Sequence, residues 1–209
     1  EPSTSGAIGL SILEQMTGTA PDLLVSGIND GANVGPTTQI SGTVGAAIVA
    51  IGKLIGAPVP AIAVSTDERC EEGSSADDQV VPDPADIPAD CKDVADFVVE
   101  LINELEMRPQ YTNSKSNILP DGVALNINYP PVSPLGVTVA HQGQLPYVDL
   151  LGGAASIEVA CYDCLDIAVG SSSAGGIAGI VPATGKDVKD SDSQLFAEGY
   201  ITIVPIEAD

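Results

Sequence analysis

Asn29, Asn33 and the triplet Ser41-Gly42-Thr43 are the residues whose types and spacing suit chemistry. The asparagines can offer side-chain oxygens to a hard cation, or adopt left-handed turn geometry. Gly27, Gly31 and Gly35 permit backbone angles that other residues resist and let a ligand approach closely. Ser41 is a good helix N-cap. The amides of Gly42, Thr43 and Val44 would face a ligand beyond the helix end, with the positive end of the helix dipole behind them. An anion site beside oxygen ligands points to phosphate chemistry. The same pattern also suits a plain strand–loop–helix connection, because short glycine motifs are weakly specific.

The elements that must position these residues follow from periodicity. Leu23-Leu24-Val25 predicts a strand over Leu23–Ser26, buried on both faces of a parallel sheet and ended by Ser26-Gly27. A helix is expected before it over Ser5–Met16, with Ile8, Ile12, Leu13 and Met16 inward. Another is expected after it over Thr43–Ile55, with Val44, Ala47, Ile48, Ile51, Leu54 and Ile55 inward and Gly56 as the stop. Ala61–Ser65 reads as a second buried strand, and the alternation of helix and strand is the doubly wound α/β pattern. Ligands bind at the carboxyl ends of strands in such sheets, where the Gly/Asn loop lies.

Asp93–Met107 reads as an amphipathic helix whose Val94, Phe97, Val98, Leu101, Ile102 and Leu105 pack on the sheet. Its acidic polar face argues against a membrane surface. Strands are expected over Val123–Asn128, Val137–Ala140, Ile157–Ala160 and Tyr200–Val204, and Ser171–Gly179 reads as small and flexible. Asn126 and Asn128 share one strand face, either lining the site or bonding a neighbouring loop.

A chain of 209 residues can bury a sizeable core. With only 3% aromatic residues and no Trp, that core must be built from Ala, Val, Ile and Leu. The net charge of −22 disfavours nucleic-acid polymers, whose phosphates need a basic footprint. It leaves mononucleotides open, since a bound metal can reverse the local sign. No apolar run reaches transmembrane length.

Cys70 and Cys91 bracket an acidic, Pro-rich excursion, and Cys161-Tyr-Asp-Cys164 is a C-x-x-C. The first pair would close a loop of about 20 residues, which contributes ~3 kcal/mol in the chain-entropy model. The second pair suits a redox couple, half a zinc site or a small structural bridge. Two local disulfides, and hence an extracellular or periplasmic protein, are the favoured expectation; four thiols in a cytoplasmic protein are the alternative. The carboxylates of Glu71–Asp90 lack calcium-loop spacing, so a solvated insertion is expected.

Ser26-Gly-Ile-Asn-Asp-Gly-Ala-Asn-Val-Gly35 and Ser41-Gly-Thr-Val-Gly-Ala-Ala47 resemble the signature of the SurE survival-protein family. The resemblance continues at Pro60-Ala-Ile-Ala-Val-Ser65, Leu125-Asn-Ile-Asn-Tyr-Pro130, Val137-Thr-Val-Ala-His-Gln-Gly143 and Asp192 to Pro205. It implies a Rossmann-like doubly wound, mainly parallel sheet with a β-rich C-terminal extension that makes oligomer contacts. It further implies a phosphatase acting on nucleoside 5′- and 3′-monophosphates with a divalent metal, Mg or Mn. Asn29 matches the family's metal-ligand asparagine. Ser41, Gly42 and Thr43 match the segment against the phosphate, and Asn33 a second, substrate-side asparagine. His141 falls where the family carries a basic residue, which favours charge or structure over catalysis.

The family's Asn-Asp-Asp-Gly motif has no counterpart here. Asp77-Asp78 follows Gly-Ser-Ser-Ala in a polar loop and does not replace it. No catalytic residue is therefore assigned. The expectation is one SurE-like domain over 1–209, N-terminally incomplete, with an acidic insertion at 70–91 and a β-rich second half at 121–209. Acidic ligands are expected from a missing N-terminal segment or companion chain, which would also fill the place of a central strand. The chain is expected to form a homo-oligomer. Two other functions compete with the phosphatase: a catalytically inactive extracellular structural or assembly subunit, and a small-ligand module that kept the phosphate loop.

Overall fold

The computed structural model describes residues 2–52, 56–67, 89–108, 118–144 and 187–208. Its elements are α1 (Pro2–Thr17), β1 (Leu24–Asp30), a 3-10 turn (Gly35–Gln39), α2 (Gly42–Ile51), β2 (Ala61–Thr66) and α3 (Ala89–Glu106). They continue with β3 (Val123–Tyr129), β4 (Val137–Val139), α4 (Asp192–Ala197) and β5 (Ile201–Glu207). The five strands form one sheet in the order β1-β2-β3-β5-β4. Strands β1, β2 and β3 run parallel, β5 is antiparallel to β3, and β4 is parallel to β5.

Helices cover both faces, which gives the mainly parallel, Rossmann-like architecture. On one face Ala61, Ala63 and Ala124 pack with Val44, Ala47, Ala50 and Ile51 of α2 and Leu10 of α1. On the other, Ile62, Val64, Leu125, Ile127, Ile201 and Ile203 pack with Val94 and Val98 of α3. Phe97, Leu101, Ile102 and Leu105 extend that contact, as the helical periodicity predicts. The Phe97 ring meets Tyr129 edge-on at 6.0 Å. Strand β2 is buried at every position because it has a strand on each side and a helix layer on each face.

Helix α1 corrects one expectation. Ile8, Ile12, Leu13 and Met16 are exposed, and Leu10 is the buried residue. The reason is close helix packing: α1 lies on α2 through small side chains. A Cβ at Gly6 would sit 3.4 Å from the Ala46 Cβ, and one at Gly45 only 2.6 Å from Ser3 Oγ. Bulky residues cannot occupy that seam, so the Ile/Leu stripe turns outward. In α2, Ile48 is likewise exposed, while Ala46 and Ala50 are buried. The helix ends at Ile51, short of Gly56, with Gly52 as its cap.

Strand β1 corrects two more. Among the described residues it lies at the sheet edge, and Val25 is 46% exposed, so it is not buried on both faces. It also does not stop at Gly27 but runs on to Asp30 through a bulge. The register pairs Ser26 with Ala63 and then Asn29 with Ser65, so β1 carries one extra residue. Gly27 makes this possible: its φ is +125° and an added Cβ would lie 2.3 Å from the Val64 carbonyl oxygen.

Residues 71–88 of the acidic excursion, Lys53–Ile55, Ile157–Ala160, Ser171–Gly179, and Cys70, Cys161 and Cys164 lie outside the described residues. The last two of the expected loop, Ala89 and Asp90, instead open α3, which starts ahead of the expected Asp93. Cys91 is buried in the first turn of α3.

Because the obstructing atom at Gly27 belongs to the backbone, Gly27→Ala should destabilise the protein by about 2–3 kcal/mol. Urea denaturation checks this; an unchanged midpoint would contradict the geometry.

Candidate functional site

The bulge decides what the sheet presents at its carboxyl ends. Side chains alternate along a strand, so one extra residue reverses the parity of everything after it. Upstream, Leu24 and Ser26 pair with Ala61 and Ala63 of the α2-side face. Downstream, Ile28 joins the α3-side core and Asn29 pairs with Ser65 on the α2 side. Ser65 pairs with Asn128, Asn128 with Thr202, and Thr202 with Thr138. Asn29, Ser65, Asn128, Thr202 and Thr138 therefore form one polar row across all five strands.

The loop after β1 is fastened to this row through Asn33. The Asn33 amide N–H donates to Asn128 Oδ1 at 2.7 Å. Its carbonyl accepts from Asn126 Nδ2 at 2.8 Å and Asn128 Nδ2 at 3.1 Å. Its own side-chain Nδ2 donates to Ser65 Oγ at 2.6 Å. The backbone and side chain of one residue thus tie the loop after β1 to β2 and β3. Asn33 is buried and held within this network. Asn126 and Asn128 make the loop contacts that were one of their two expected roles. Among the described residues, Asn126 Oδ1 and Thr202 Oγ1 are buried without a hydrogen-bond partner.

A second fastening is Asp192, fully buried at the start of α4. Its carboxylate accepts from the backbone N–H groups of Gly35 (3.0 and 3.1 Å to its two oxygens), Gly143 (2.7 Å) and Ser193 (2.8 Å). Burial pushes this carboxyl above its ordinary proton affinity, while the Gly143, Gly35 and Ser193 amides pull it back. Hydrogen bonds to a charged group contribute about 1.5–3 kcal/mol each. Removing a carboxylate from water costs several kcal/mol, and here that cost wins. Gln142 Nε2 returns a bond to the Gly35 carbonyl at 3.2 Å.

Helix α2 begins beside these fastenings. Ser41 is its N-cap, and Ser41 Oγ accepts from Val44 N at 3.1 Å. The expected trio of free amides is thus reduced to Gly42 and Thr43, which as the first two helical residues have no carbonyl of their own helix to bond. No acidic residue stands in this first turn. Asn29 Nδ2 donates to the Gly31 carbonyl at 2.7 Å, which leaves its Oδ1 for a cation. Among the described residues no group of three or more His, Cys, Asp or Glu side chains could hold a metal ion. Asn29 alone does not make a metal site. His141 is exposed and contributes its backbone, accepting from Asp192 N and donating to the Asp190 carbonyl.

Asp192 enters the sequence reading only as the first residue of a family-like block, with no site role. The Ser191-x-x-Gln194 spacing marks the start of α4, and Ser191 Oγ does accept from Gln194 N at 3.2 Å. No local signal names Gly35 as a partner, because it lies 157 positions away.

Fold and site define an α/β protein of the doubly wound class whose candidate ligand groups gather at the carboxyl ends of parallel strands. The chain belongs to the SurE survival-protein family, whose model matches residues 1–149. It is 31% identical over 211 residues to a 5′-nucleotidase SurE of Gloeobacter violaceus, covering 100% of this chain and 63% of the relative. It is 31% identical over 197 residues to a 5′-nucleotidase SurE of Pelotomaculum thermopropionicum, covering 94% and 60%. The chain thus spans under two thirds of these relatives' length. The crystal structure of the SurE protein from Aquifex aeolicus superposes with a TM-score of 0.52 at 19% identity, covering 100% of this chain and 67% of that one, and so supports the fold.

Asn128→Ala would strip the buried Asn33 N–H of its acceptor, a loss that costs about 1–3 kcal/mol. Urea denaturation should show a lower midpoint at an unchanged slope; no shift would mean the network is not under tension from this side chain.

Proposed function

We propose that this chain forms part of a metal-dependent phosphatase that hydrolyses nucleoside 5′- and 3′-monophosphates. The observation that carries this is the placement of the Ser41-capped α2 start, with no acidic residue in its first turn, close in sequence to a β1 end that turns Asn29 onto the polar face. Family membership and relatives named 5′-nucleotidase support it. In this reading the Gly42 and Thr43 N–H groups donate to phosphoryl oxygens, and the aligned peptides of α2 stabilise the charge that develops there. Ser41 holds the helix start through its cap. Asn33 keeps the loop seated on Ser65 and Asn128, on the substrate side of the site.

Magnesium or manganese would take the Asn29 Oδ1 as one oxygen ligand. Other ligands would have to come from outside the described residues, since these hold no acidic cluster. That same observation favours the second reading, a catalytically inactive SurE-like structural or assembly subunit. An acidic ligand set outside the described residues separates the two.

The decisive measurement is phosphate release from a panel of nucleoside monophosphates by the purified protein with Mg2+ or Mn2+. Release is expected, and Asn29→Ala should raise the metal concentration needed for half-activity by about tenfold, the value of one ligand contact near 1.4 kcal/mol. Thermal stabilisation by a nucleotide without product would instead identify a binding module. No release and no stabilisation would leave the assembly subunit.

The cysteine spacing extends the proposal to an exported protein with Cys70 bridged to Cys91 and Cys161 to Cys164, in a homo-oligomer. Intact mass before and after reduction should differ by two hydrogens per bridge. Identical masses, with all thiols alkylated under native conditions, would place the protein in the cytoplasm instead.

A further inference from the structure

We propose that Asp192 is the positioning residue for the phosphate-binding end of α2. This rests on the reading of the Ser41–Thr43 segment as the phosphate site. Asp192 touches none of those residues and acts through Gly35.

The mechanical path is short. Gly35 donates to both oxygens of Asp192 and opens the 3-10 turn. The turn is closed on itself: Thr38 Oγ1 donates to the Gly35 carbonyl at 2.6 Å, Thr37 Oγ1 to the Val34 carbonyl at 2.6 Å, and Ile40 N to the Thr37 carbonyl at 3.1 Å. Ser41 follows at once as the cap of α2. A closed turn transmits the position of its first residue to its last. Fixing Gly35 therefore fixes where the Gly42 and Thr43 amides point.

Among the described residues, the second oxygen of the carboxylate bears on Gly35 alone. All three N–H groups converge on Oδ1, and Gly35 is shared with Oδ2 at 3.1 Å, where an amide would present its own NH2 to the Gly35 N–H. Gly143 is equally constrained: a Cβ there would lie 2.3 Å from Ser193 Oγ, 2.8 Å from Asp187 Oδ2 and 3.1 Å from Asp192 Oδ1. Gln142, its neighbour, closes the ring by donating to the Gly35 carbonyl. The carboxylate thus ties together the loop after β1, the segment after β4 and the start of α4.

The test uses the full chain with Mn2+ and compares wild type with Asp192→Asn and Gly143→Ala. Phe196→Leu, a buried change in the same helix that leaves the clasp intact, reports plain loss of stability. Three quantities are read: hydrogen exchange at the Gly35 and Gly143 amides, KM for a nucleoside monophosphate, and the inhibition constant of inorganic phosphate. Both clasp variants should exchange faster at these amides. They should raise KM and the phosphate inhibition constant by about tenfold, with a smaller change in kcat, the signature of a displaced binding group. Phe196→Leu should lower Tm and leave KM unchanged.

Faster exchange with unaltered KM and phosphate inhibition would reduce Asp192 to a structural tie and overturn the proposal. So would unchanged exchange in Asp192→Asn, or a KM effect equal in Phe196→Leu. A wild type that neither turns over nucleotides nor binds inorganic phosphate would overturn the phosphatase reading, and this proposal with it. An active wild type with unaffected clasp variants would overturn this proposal alone.

Discussion

Between Ser26 and Asn29 strand β1 takes three steps where β2, from Ala63 to Ser65, takes two. Strand geometry turns that mismatch into a change of face, because successive side chains point to opposite sides. Ile28 drops into the α3-side core and Asn29 rises onto the polar face with Ser65 and Asn128. Without the extra residue the apolar and polar partners would exchange sides. The only residue that admits it is one without a Cβ, since the Val64 carbonyl occupies that volume. The composition of the loop beyond matters only because this step has already aimed the strand end.

What the bulge delivers, hydrogen bonds hold. A net bond contributes about 1 kcal/mol, whereas a buried donor left unpaired costs up to about 3. Asn33 is buried, so its backbone N–H and carbonyl must find partners. Strand β3 supplies them with two asparagines at alternate positions, which explains why polar residues interrupt an otherwise apolar strand. The seam between α1 and α2 shows the complementary rule for apolar contacts: Gly6, Gly45, Ala46 and Ser3 set the approach distance, and larger residues are displaced to the outer surface.

Much of this was legible in the sequence where one residue type answers one local need. The apolar run that opens β2, the 3.6-residue period of α3 and the serine before α2 each declare their state, and the fold class follows from their order. The stripe on α1 misleads because periodicity reports that a face is apolar without saying whether small residues opposite have claimed the contact. The course of β1 past Gly27 was hidden because glycine marks a strand end and a bulge alike. For the site, Ser41 and the Asn29/Asn33 pair announce themselves through local spacing. The roles of Ser65, Asn128 and Asp192 do not, since each is defined by a partner in a different strand or helix.

The separation of Gly35 from Asp192 has a consequence for biosynthesis. A ribosome adds about 5–20 residues per second, so the 157-residue gap corresponds to roughly 8–30 s of elongation. Strand β3 emerges earlier and can seat Asn33 while translation continues. The Gly35 amide, by contrast, has no native acceptor until the segment carrying Asp192 leaves the exit tunnel. The nascent chain can therefore pair its three parallel strands early, but it acquires β5 and its ligand geometry only near the end. A truncated product ending before α4 would lack β5 as well, so β1, β2 and β3 could pair while β4 stays without its partner strand and the loop before α2 stays unclasped.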